Sequence, residues 1–515
     1  MKKLITLILA VIMTASLFAA CSGNTPAATT GKPSESTPGD TNASTPVGTP
    51  TICPPPGPPL GFDLDDLDYN GKDVYVFHWG NAYPEFTPDE NANEEDPISE
   101  AVYTRNLRVE EGLGIKLNFA SENEFTTSYD TFVTKLEKRI QDPETTVDII
   151  AAYSRTAPNV LINGFYTDLN AYEDIDLTKH WWPGNVREAY EIKGKLYFST
   201  GDLSMRSVTE LEALFMNVNM FKNLGNDYDK FIKDVLNGKW TLDDLIALCK
   251  GTYMDLDNVP GESNGDSFGI IGDSNHFSNG MWAGMGYKLF EISEEDDSVY
   301  EISEDVFGDN AANFVKKLKE LSEGVDAHIQ LEQQNETMTL SDKMASFTAG
   351  KAMFMAIPLG DFDADAVDTE YVALPYPKAS ETQEQYHTAI GNMYSLFGIC
   401  SSAEDKVLSA RILETWGYYG SCYTTDAVYV EIYPNKWLRN DDSLHAFDII
   451  RRSVTYDPGR AYERYTGTLL SSLISRTLVN GSKWSATLTK AKKEVLNSSL
   501  AESNKNLLAV INGEN

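Results

Sequence analysis

Residues 191–221, EIKGKLYFSTGDLSMRSVTELEALFMNVNMF, carry the pattern that decides the fold of this chain. Apolar residues flank the Lys193-Gly194 pair on both sides, which is typical of a short β-hairpin. The nearly continuous apolar run at 211–216 predicts a strand that is buried on both faces, as in the sheets of α/β proteins. We therefore expect this stretch to lead from a surface hairpin into the middle of a sheet.

Strand and helix patterns alternate before this stretch. The predicted strands are 74–79, 115–119 and 147–152, and the predicted helices between them are 97–111 and 129–140. A β-α-β-α-β order favours a parallel sheet with right-handed crossovers and helices on its faces. Ligands of such sheets collect at the carboxyl ends of the strands, so the loops after the first and third strands become candidate binding loops.

The alternation resumes after the stretch and predicts a second α/β unit. Its predicted helices are 242–250, 311–322 and 339–349, and its predicted strands are 352–357 and 371–374. The segment 278–287, SNGMWAGMGY, reads as a Gly-rich loop. We expect the flanking glycines to leave one face of Trp282 uncovered, which makes this residue the strongest single candidate for ligand binding.

The N-terminal residues have the pattern of a lipoprotein signal. Lys2 and Lys3 precede an apolar run at 4–15 that is too short to span a membrane, and Cys21 follows in a lipobox-like setting. We expect residues 1–20 to be a signal peptide and acylation of Cys21 to hold the protein at the outer face of the cell membrane. Residues 21–60 are rich in Ser, Thr, Pro and Gly and predict a disordered linker.

Composition and cysteine spacing exclude several functions. The net charge of −35 repels phosphate backbones, so nucleic acid is not an expected partner.

No cysteine pair has CxxC spacing, although a disulfide between Cys400 and Cys422 stays open. The acidic loop 255–266 invites a calcium interpretation but departs from the EF-hand pattern at Val259 and Pro260. We predict no metal and no cofactor.

The order of several motifs resembles a known family. A Gly-Lys-aromatic hairpin, the Gly201-Asp202 loop, an apolar strand ending in Asn217 and the segment 238–241, GKWT, follow one another. This order is similar to that of the extracellular solute-binding proteins of bacterial ABC importers, in particular the large carbohydrate-type lipoproteins of Firmicutes. Shorter motifs of that subgroup occur at 101–106 and 441–450.

The resemblance implies an α/β, two-lobed fold of the periplasmic-binding-protein type (type II). Each lobe would contain a mainly parallel sheet flanked by helices, with a ligand cleft between the lobes. Residues 61–205 plus 379–425 would form the N-terminal lobe, and residues 206–378 plus 426–515 the C-terminal lobe. The chain would cross between lobes near Gly201 and again near Pro375.

The resemblance also implies a function without catalysis: capture of a small molecule, most of all a sugar or oligosaccharide, by a monomer that delivers it to ABC transporter permease subunits. Sugar receptors stack aromatic rings on the sugar and bind its hydroxyls with Asp, Asn and Arg. The side chains that the fold argument places at strand ends and crossings are Trp79, Asn81, Tyr83, Tyr153, Asp202, Trp282, Asp361, Phe362, Asn392 and Tyr394.

Motifs of common enzymes are missing from the sequence. It contains no GxxxxGK[ST], no complete GxGxxG, no GxSxG and no HExxH. With 77 acidic residues, a carboxylate pair suited to glycoside hydrolysis stays open, because the deciding separation is not in a sequence. The alternatives are therefore a surface lipoprotein that acts on glycans and a binding protein for peptides or another metabolite.

Overall fold

The computed structural model describes residues 60–87, 97–122, 129–259, 262–293, 299–323, 327–330, 338–438, 440–465 and 500–514. The predicted signal peptide at 1–20, the lipidation site Cys21 and the linker up to residue 59 lie outside these residues.

The described residues form strands and helices of both short and ordinary length. The strands are β1 (Lys72–Trp79), β2 (Ile115–Glu122), β3 (Ile149–Tyr153), β4 (Glu212–Asn217), β5 (Phe268–Asp273), β6 (Phe290–Ile292), β7 (Tyr300–Ile302), β8 (Ala327–Gln330), β9 (Ala352–Pro358), β10 (Tyr371–Leu374), β11 (Thr388–Ala389), β12 (Ser395–Ile399) and β13 (Val454–Thr455). The α-helices are α1 (Tyr83–Phe86), α2 (Pro97–Leu113), α3 (Tyr129–Gln141), α4 (Ala157–Ile162), α5 (Gly184–Tyr190), α6 (Arg206–Thr209), α7 (Val218–Asn223), α8 (Tyr228–Leu236), α9 (Leu242–Cys249), α10 (Ser274–Gly284), α11 (Glu304–Phe307), α12 (Asp309–Glu323), α13 (Leu340–Thr348), α14 (Lys406–Cys422), α15 (Thr424–Asp426), α16 (Asp441–Arg452), α17 (Pro458–Ala461) and α18 (Leu500–Asn512). A π-helical segment spans Ala427–Trp437.

The first sheet has four strands in the order β12-β3-β1-β2. β1 pairs in parallel with both β2 and β3, which confirms the predicted β-α-β-α-β unit. β12 lies antiparallel to β3 although it follows β3 much later in the sequence. Every residue of β3 and of β12 is buried, because helices and loops cover the sheet.

The second sheet has five strands in the order β10-β4-β9-β5-β8. β5 is parallel to β8 and β9, whereas β4 is antiparallel to β9 and β10. This sheet is therefore mixed, where the sequence predicted a mainly parallel one. A strand that is apolar on both faces shows the same pattern in either direction, so its sequence does not reveal its orientation.

The hairpin and the strand predicted at 191–221 are both confirmed. Lys193 and Gly194 have φ angles of 51° and 71°, as a type I′ turn requires, and a bridge joins Ile192 to Lys195. Every residue of β4 is buried in the middle of the second sheet.

Paired segments connect the regions of the two sheets. Ser199 bridges Phe397 and Leu211 bridges Ile390, both antiparallel, so the chain before β4 runs beside the chain around β12. The strands of the first sheet fall within 61–205 and 379–425, and those of the second within 206–378. The lobe boundaries themselves stay a prediction.

The cysteines in the described residues form no disulfide with one another. Cys249 and Cys400 are buried and Cys422 is half-buried. The disulfide between Cys400 and Cys422 that the sequence left open is therefore not formed. Cys249 lies in the apolar side of α9, as its helical spacing predicted.

Candidate functional site

A pocket with a volume of about 90 Å³ lies against the C-terminal end of α10. Its walls come from three separate parts of the chain: residues 279–288, residues 387–394 and residues 455–460. Three of the ten predicted binding residues line it, namely Trp282, Asn392 and Tyr394. We call this cavity the α10 pocket.

The first wall is a helix and not the Gly-rich loop predicted at 278–287. The carboxylate of Asp273 accepts the backbone N–H groups of Asn275 (3.1 Å) and His276 (2.9 Å) and so starts α10. Gly280 then allows the helix to approach Tyr376, because a Cβ there would lie 2.1 Å from the phenol ring. The glycines in this segment therefore serve close packing and not loop flexibility.

Trp282 is buried at the base of this wall. Its side chain is 3 % exposed, where the sequence predicted an uncovered face. The indole packs edge-on against Tyr287 and Phe314, with ring centroids 5.2 and 5.6 Å away. Tyr287 is only half-buried, so it is this ring that extends the aromatic wall toward solvent.

The second wall combines the segment before β12 with the segment after β13. Parallel pairing of β11 with β13 brings the two segments together. Tyr394 and Tyr456 meet there with centroids 5.9 Å apart, and the Tyr394 hydroxyl lies 3.4 Å from that of Tyr190. Burial raises the pKa of Tyr394 to about 12, so its hydroxyl stays neutral and able to donate.

The charged groups of the α10 pocket are Asp457, Arg460 and Lys288. Asp457 accepts the backbone N–H groups of Leu289 (2.6 Å) and Phe290 (3.2 Å), and burial raises its pKa to about 6. The Nη1 of Arg460 donates to the side-chain oxygen of Asn279. Lys288 is exposed at the edge of the pocket. The pocket thus combines aromatic rings with a few polar groups, as small-molecule sites do.

The predicted residues of the first sheet lie outside this lining. Trp79 and Tyr153 are both buried and pack against each other, with ring centroids 5.1 Å apart. The indole N–H of Trp79 donates to Ser395 Oγ at 2.9 Å, which ties β1 to β12. The side chains of Asn81 and Tyr83 lie outside what the structure describes.

The remaining predicted residues also lie away from the pocket wall. Phe362 is buried and stacks on Phe215, with centroids 3.8 Å apart and ring planes 4° apart. Asp361 is exposed directly after β9. Asp202 accepts a hydrogen bond from Thr425 Oγ1 at 2.9 Å.

Several lining residues were not singled out in the sequence. They are Asn279, Tyr287, His387, Tyr456, Asp457 and Arg460. Tyr287 lies within the segment that the sequence marked around Trp282, three residues beyond the end of α10. Residues 456–460 gave no signal, because only the pairing of β11 with β13 brings them to α10.

A buried charged network lies between the first sheet and α6. Glu85 is fully buried; its carboxylate accepts from Ser204 and lies 3.5 Å from Arg206 Nε. Arg105, also fully buried, donates to the backbone oxygen of Glu85 at 2.6 Å. Burial raises the pKa of Glu85 to about 7, against the opposing field of Arg206. The network therefore places the fully buried Glu85 and Arg105 beside the half-buried Arg206.

A second network surrounds the start of α10. Nδ1 of His276 lies 2.8 Å from a carboxylate oxygen of Glu212, and Nζ of Lys343 lies 3.0 Å from Asp273. Burial opposes the charged form of His276, but the Glu212 carboxylate outweighs it and raises the pKa to about 10. The imidazolium is thus a fixed cation that anchors α10 to β4.

An acidic cluster occupies the predicted acidic loop. Asp255, Asp257 and Asp266 each place a carboxylate oxygen within 4.8 Å of the others, and such oxygens suit a hard cation. The buried Asp266 already accepts the backbone N–H groups of Leu256 (3.0 Å) and Ser263 (2.9 Å). Its charge therefore organises the loop itself, and we assign no metal here.

A wider groove of about 660 Å³ lies along α8 and α9. Its charged side chains face one another: Lys230 pairs with Asp234 at 2.7 Å, and Lys239 lies 3.8 Å from the same residue. Trp240 also lines the groove, but its side chain is only 1 % exposed. None of the predicted binding residues lines this groove, so the α10 pocket is the stronger candidate.

Asp202 gives a test of electrostatics in the Gly201-Asp202 loop. Burial raises its pKa to about 7 from an ordinary value near 3.8, so ionising it costs stability in the folded state only. Relative to Asp202→Asn, the wild-type protein should therefore lose about 2 kcal/mol of unfolding free energy between pH 5 and pH 8. Urea unfolding of both proteins at the two pH values measures this difference. An equal pH dependence for both would contradict the raised pKa.

In the part of the chain that the structure describes, every helix is too short or too polar to span a lipid bilayer. No protein-family model matches the sequence, and neither does any curated protein.

Solved structures do match the fold. The chain is similar to the galacto-N-biose/lacto-N-biose I-binding protein of the ABC transporter from Bifidobacterium longum, with a TM-score of 0.56 and 12 % identity over 85 % of this chain and 98 % of that one. A family 1 extracellular solute-binding protein from Bifidobacterium longum subsp. infantis gives a TM-score of 0.54 and 14 % identity over 83 % and 100 %. The sugar-binding protein MalE from Xanthomonas citri gives a TM-score of 0.55 and 12 % identity, over 85 % of this chain and 98 % of that one. The chain therefore has the α/β fold of the periplasmic-type solute-binding proteins, as predicted.

Proposed function

We propose that this chain is an extracellular solute-binding lipoprotein that captures a sugar or oligosaccharide and delivers it to the permease subunits of an ABC transporter. It acts as a monomer, without catalysis, and acylated Cys21 holds it at the outer face of the cell membrane. The fold is the first support, because the similar structures include the galacto-N-biose/lacto-N-biose I-binding protein and the sugar-binding protein MalE.

The aromatic lining of the α10 pocket carries the proposal. Trp282, Tyr287, Tyr394 and Tyr456 all contribute to it, and polar groups lie between them. A sugar offers a flat C–H face to a ring and hydroxyls to polar side chains, so this combination suits a carbohydrate. A peptide would instead need a longer groove with free backbone groups.

The carboxylate of the pocket is poorly suited to catalysis, which supports binding over glycan hydrolysis. Asp457 is the carboxylate among the residues that line the cavity, and its oxygens accept three backbone N–H groups. A glycoside hydrolase needs two carboxylates that face the same bond, one of them free to give or take a proton. We therefore favour reversible capture.

Capture would use the two crossings of the chain. The antiparallel bridges of Ser199 with Phe397 and of Leu211 with Ile390 make the crossing segments a double connection between the proposed lobes. A ligand that contacts both lobes only in the closed form favours that form by its differential affinity. The permease would then recognise the closed shape.

Replacement of Tyr287 by Ala should weaken sugar binding about 30-fold, which corresponds to about 2 kcal/mol. The half-buried ring would be lost from the pocket wall while the core below it keeps Trp282 and Phe314. Calorimetry of the full chain with a panel of neutral and acidic oligosaccharides measures the affinity. Tyr103→Ala is the matched control, because Tyr103 is 56 % exposed on α2.

Two outcomes would count against the proposal. If the wild-type protein binds no member of the panel, the sugar assignment is wrong. If Tyr287→Ala and Tyr103→Ala bind a sugar as tightly as the wild type, the ligand lies somewhere other than the α10 pocket.

A further inference from the structure

We infer that the α10 pocket receives the carboxylate of an acidic sugar, so that the ligand of this protein is a uronate-containing saccharide. This inference rests on the proposed function and adds the chemical class of the substrate. It comes from the balance of hydrogen-bond donors and acceptors around the cavity.

The donors in the pocket are in surplus. The indole Nε1 of Trp282 and both Nε and Nη2 of Arg460 are buried and make no hydrogen bond within the described structure. A buried donor without a partner costs free energy, and native proteins rarely retain one without a reason. Two residues that line one cavity hold three such atoms, and a ligand that supplies acceptors there would satisfy them.

Several acceptors around the pocket already accept hydrogen bonds from the protein. Asn279 Oδ1 accepts from Arg460, and the backbone oxygens of Asn392 and Tyr394 accept from Ser154 at 2.5 and 3.0 Å. Both oxygens of Asp457 accept backbone N–H groups, as described above. A neutral sugar hydroxyl brings a donor as well as acceptors, whereas the unpartnered groups here are all donors. A carboxylate brings acceptors only.

The charge of the pocket also favours an acidic ligand. Within the described residues, no carboxylate lies within ion-pair distance of Arg460, and the nearby Glu463 is paired with Arg155. Burial lowers the pKa of Arg460 although Glu463, Glu212 and Asp457 favour its charged form, so the guanidinium bears a cost of desolvation. An anion beside Nε and Nη2 would relieve that cost, because a carboxylate fits these two donors side by side.

The size of the cavity limits what enters it. A volume of about 90 Å³ is well below the roughly 300–1,000 Å³ of pockets that enclose a drug-sized ligand. The pocket therefore takes one acidic group with part of its ring. The neighbouring sugar units would lie outside it, against the half-buried Tyr287.

Calorimetry of the full chain at pH 7 with matched pairs of saccharides tests the inference. Galacturonate oligomers are compared with galactose oligomers of the same length, and glucuronate-containing disaccharides with their neutral counterparts. We expect the acidic member to bind at least tenfold tighter. Arg460→Gln should remove this preference, whereas Arg452→Gln, at an exposed position on α16, should keep it.

A second variant covers the case in which Arg460→Gln does not fold. Trp282→Phe keeps the buried ring and removes one of the unpartnered N–H groups, so it should also reduce the preference for the acidic sugar. Unchanged preference in a folded Arg460→Gln or Trp282→Phe protein would overturn the inference.

The remaining outcomes separate the inference from the proposed function. Equal or tighter binding of neutral sugars would overturn the inference and leave the sugar-binding function standing. Binding of inorganic sulfate or phosphate that depends on Arg460, without binding of acidic sugars, would identify a site for a free oxyanion and overturn it too. No binding of any saccharide would reject the proposed function itself.

Discussion

Replacement of Glu85 by Ala should lower the free energy of unfolding by about 3–5 kcal/mol, because it would leave the buried Arg105 without its counter-ion and Arg206 with Glu210 as its carboxylate partner. Arg105 is fully buried, and burial already lowers its pKa to about 9 even with Glu85 present. Arg206 lies 3.5 Å from the same carboxylate. The hydroxyls of Ser204 and Ser395 would lose their acceptor at the same time.

Urea unfolding of the wild-type protein, Glu85→Ala and Glu85→Gln measures this effect. Gln keeps the shape and the hydrogen-bond acceptor, so its loss should be smaller than that of Ala. Glu188→Ala is the matched control, because Glu188 is exposed on α5 and its loss should change stability by less than about 0.5 kcal/mol. A loss below 1 kcal/mol for Glu85→Ala would show that the arginines do not depend on this carboxylate.

Trp416→Ala should be comparably destabilising, by about 3–5 kcal/mol, because it empties the centre of the first sheet's helical cover. Trp416 is fully buried on α14, and its ring lies 5.9 Å from both Phe86 and Phe397. The guanidinium of Arg105 lies 5.1 Å from the centroid of the same ring, so the Trp416 ring also contacts the charged network.

The variant Trp416→Phe distinguishes the effect of losing side-chain volume from the effect of losing the indole N–H. The indole N–H of Trp416 has no hydrogen-bond partner in the described structure, so Phe removes an unsatisfied donor together with part of the ring. We expect Phe to cost much less than Ala in thermal and urea unfolding. Equal losses for the two variants would mean that ring packing does not govern this site.

The first sheet was predictable because its pattern is local. Strand β1, helix α2 and strand β2 each follow from a run of apolar residues with a clear period, and the ends lie within a few residues of the prediction. β4 was likewise evident from its unbroken apolar run. In these places the residues that form the element also carry the signal for it.

The site was less predictable because contacts between distant residues make it. Helix α10 contains two glycines, which locally favour a loop. The helix forms because Asp273 caps its start and because Gly280 packs closely against Tyr376. Trp282 was identified, but its burial among Tyr287 and Phe314 was not. Arg460 became part of the pocket only through the pairing of β11 with β13.

Strand β12 has a consequence for how this protein is made. The first sheet receives its last strand only after the whole second sheet has been synthesised, because β12 begins at residue 395. Until then a nascent chain exposes β3, whose residues are all apolar or aromatic, with one edge unpaired. Such an edge is a template for aggregation. A chaperone that holds the emerging polypeptide extended until β12 is released would protect it.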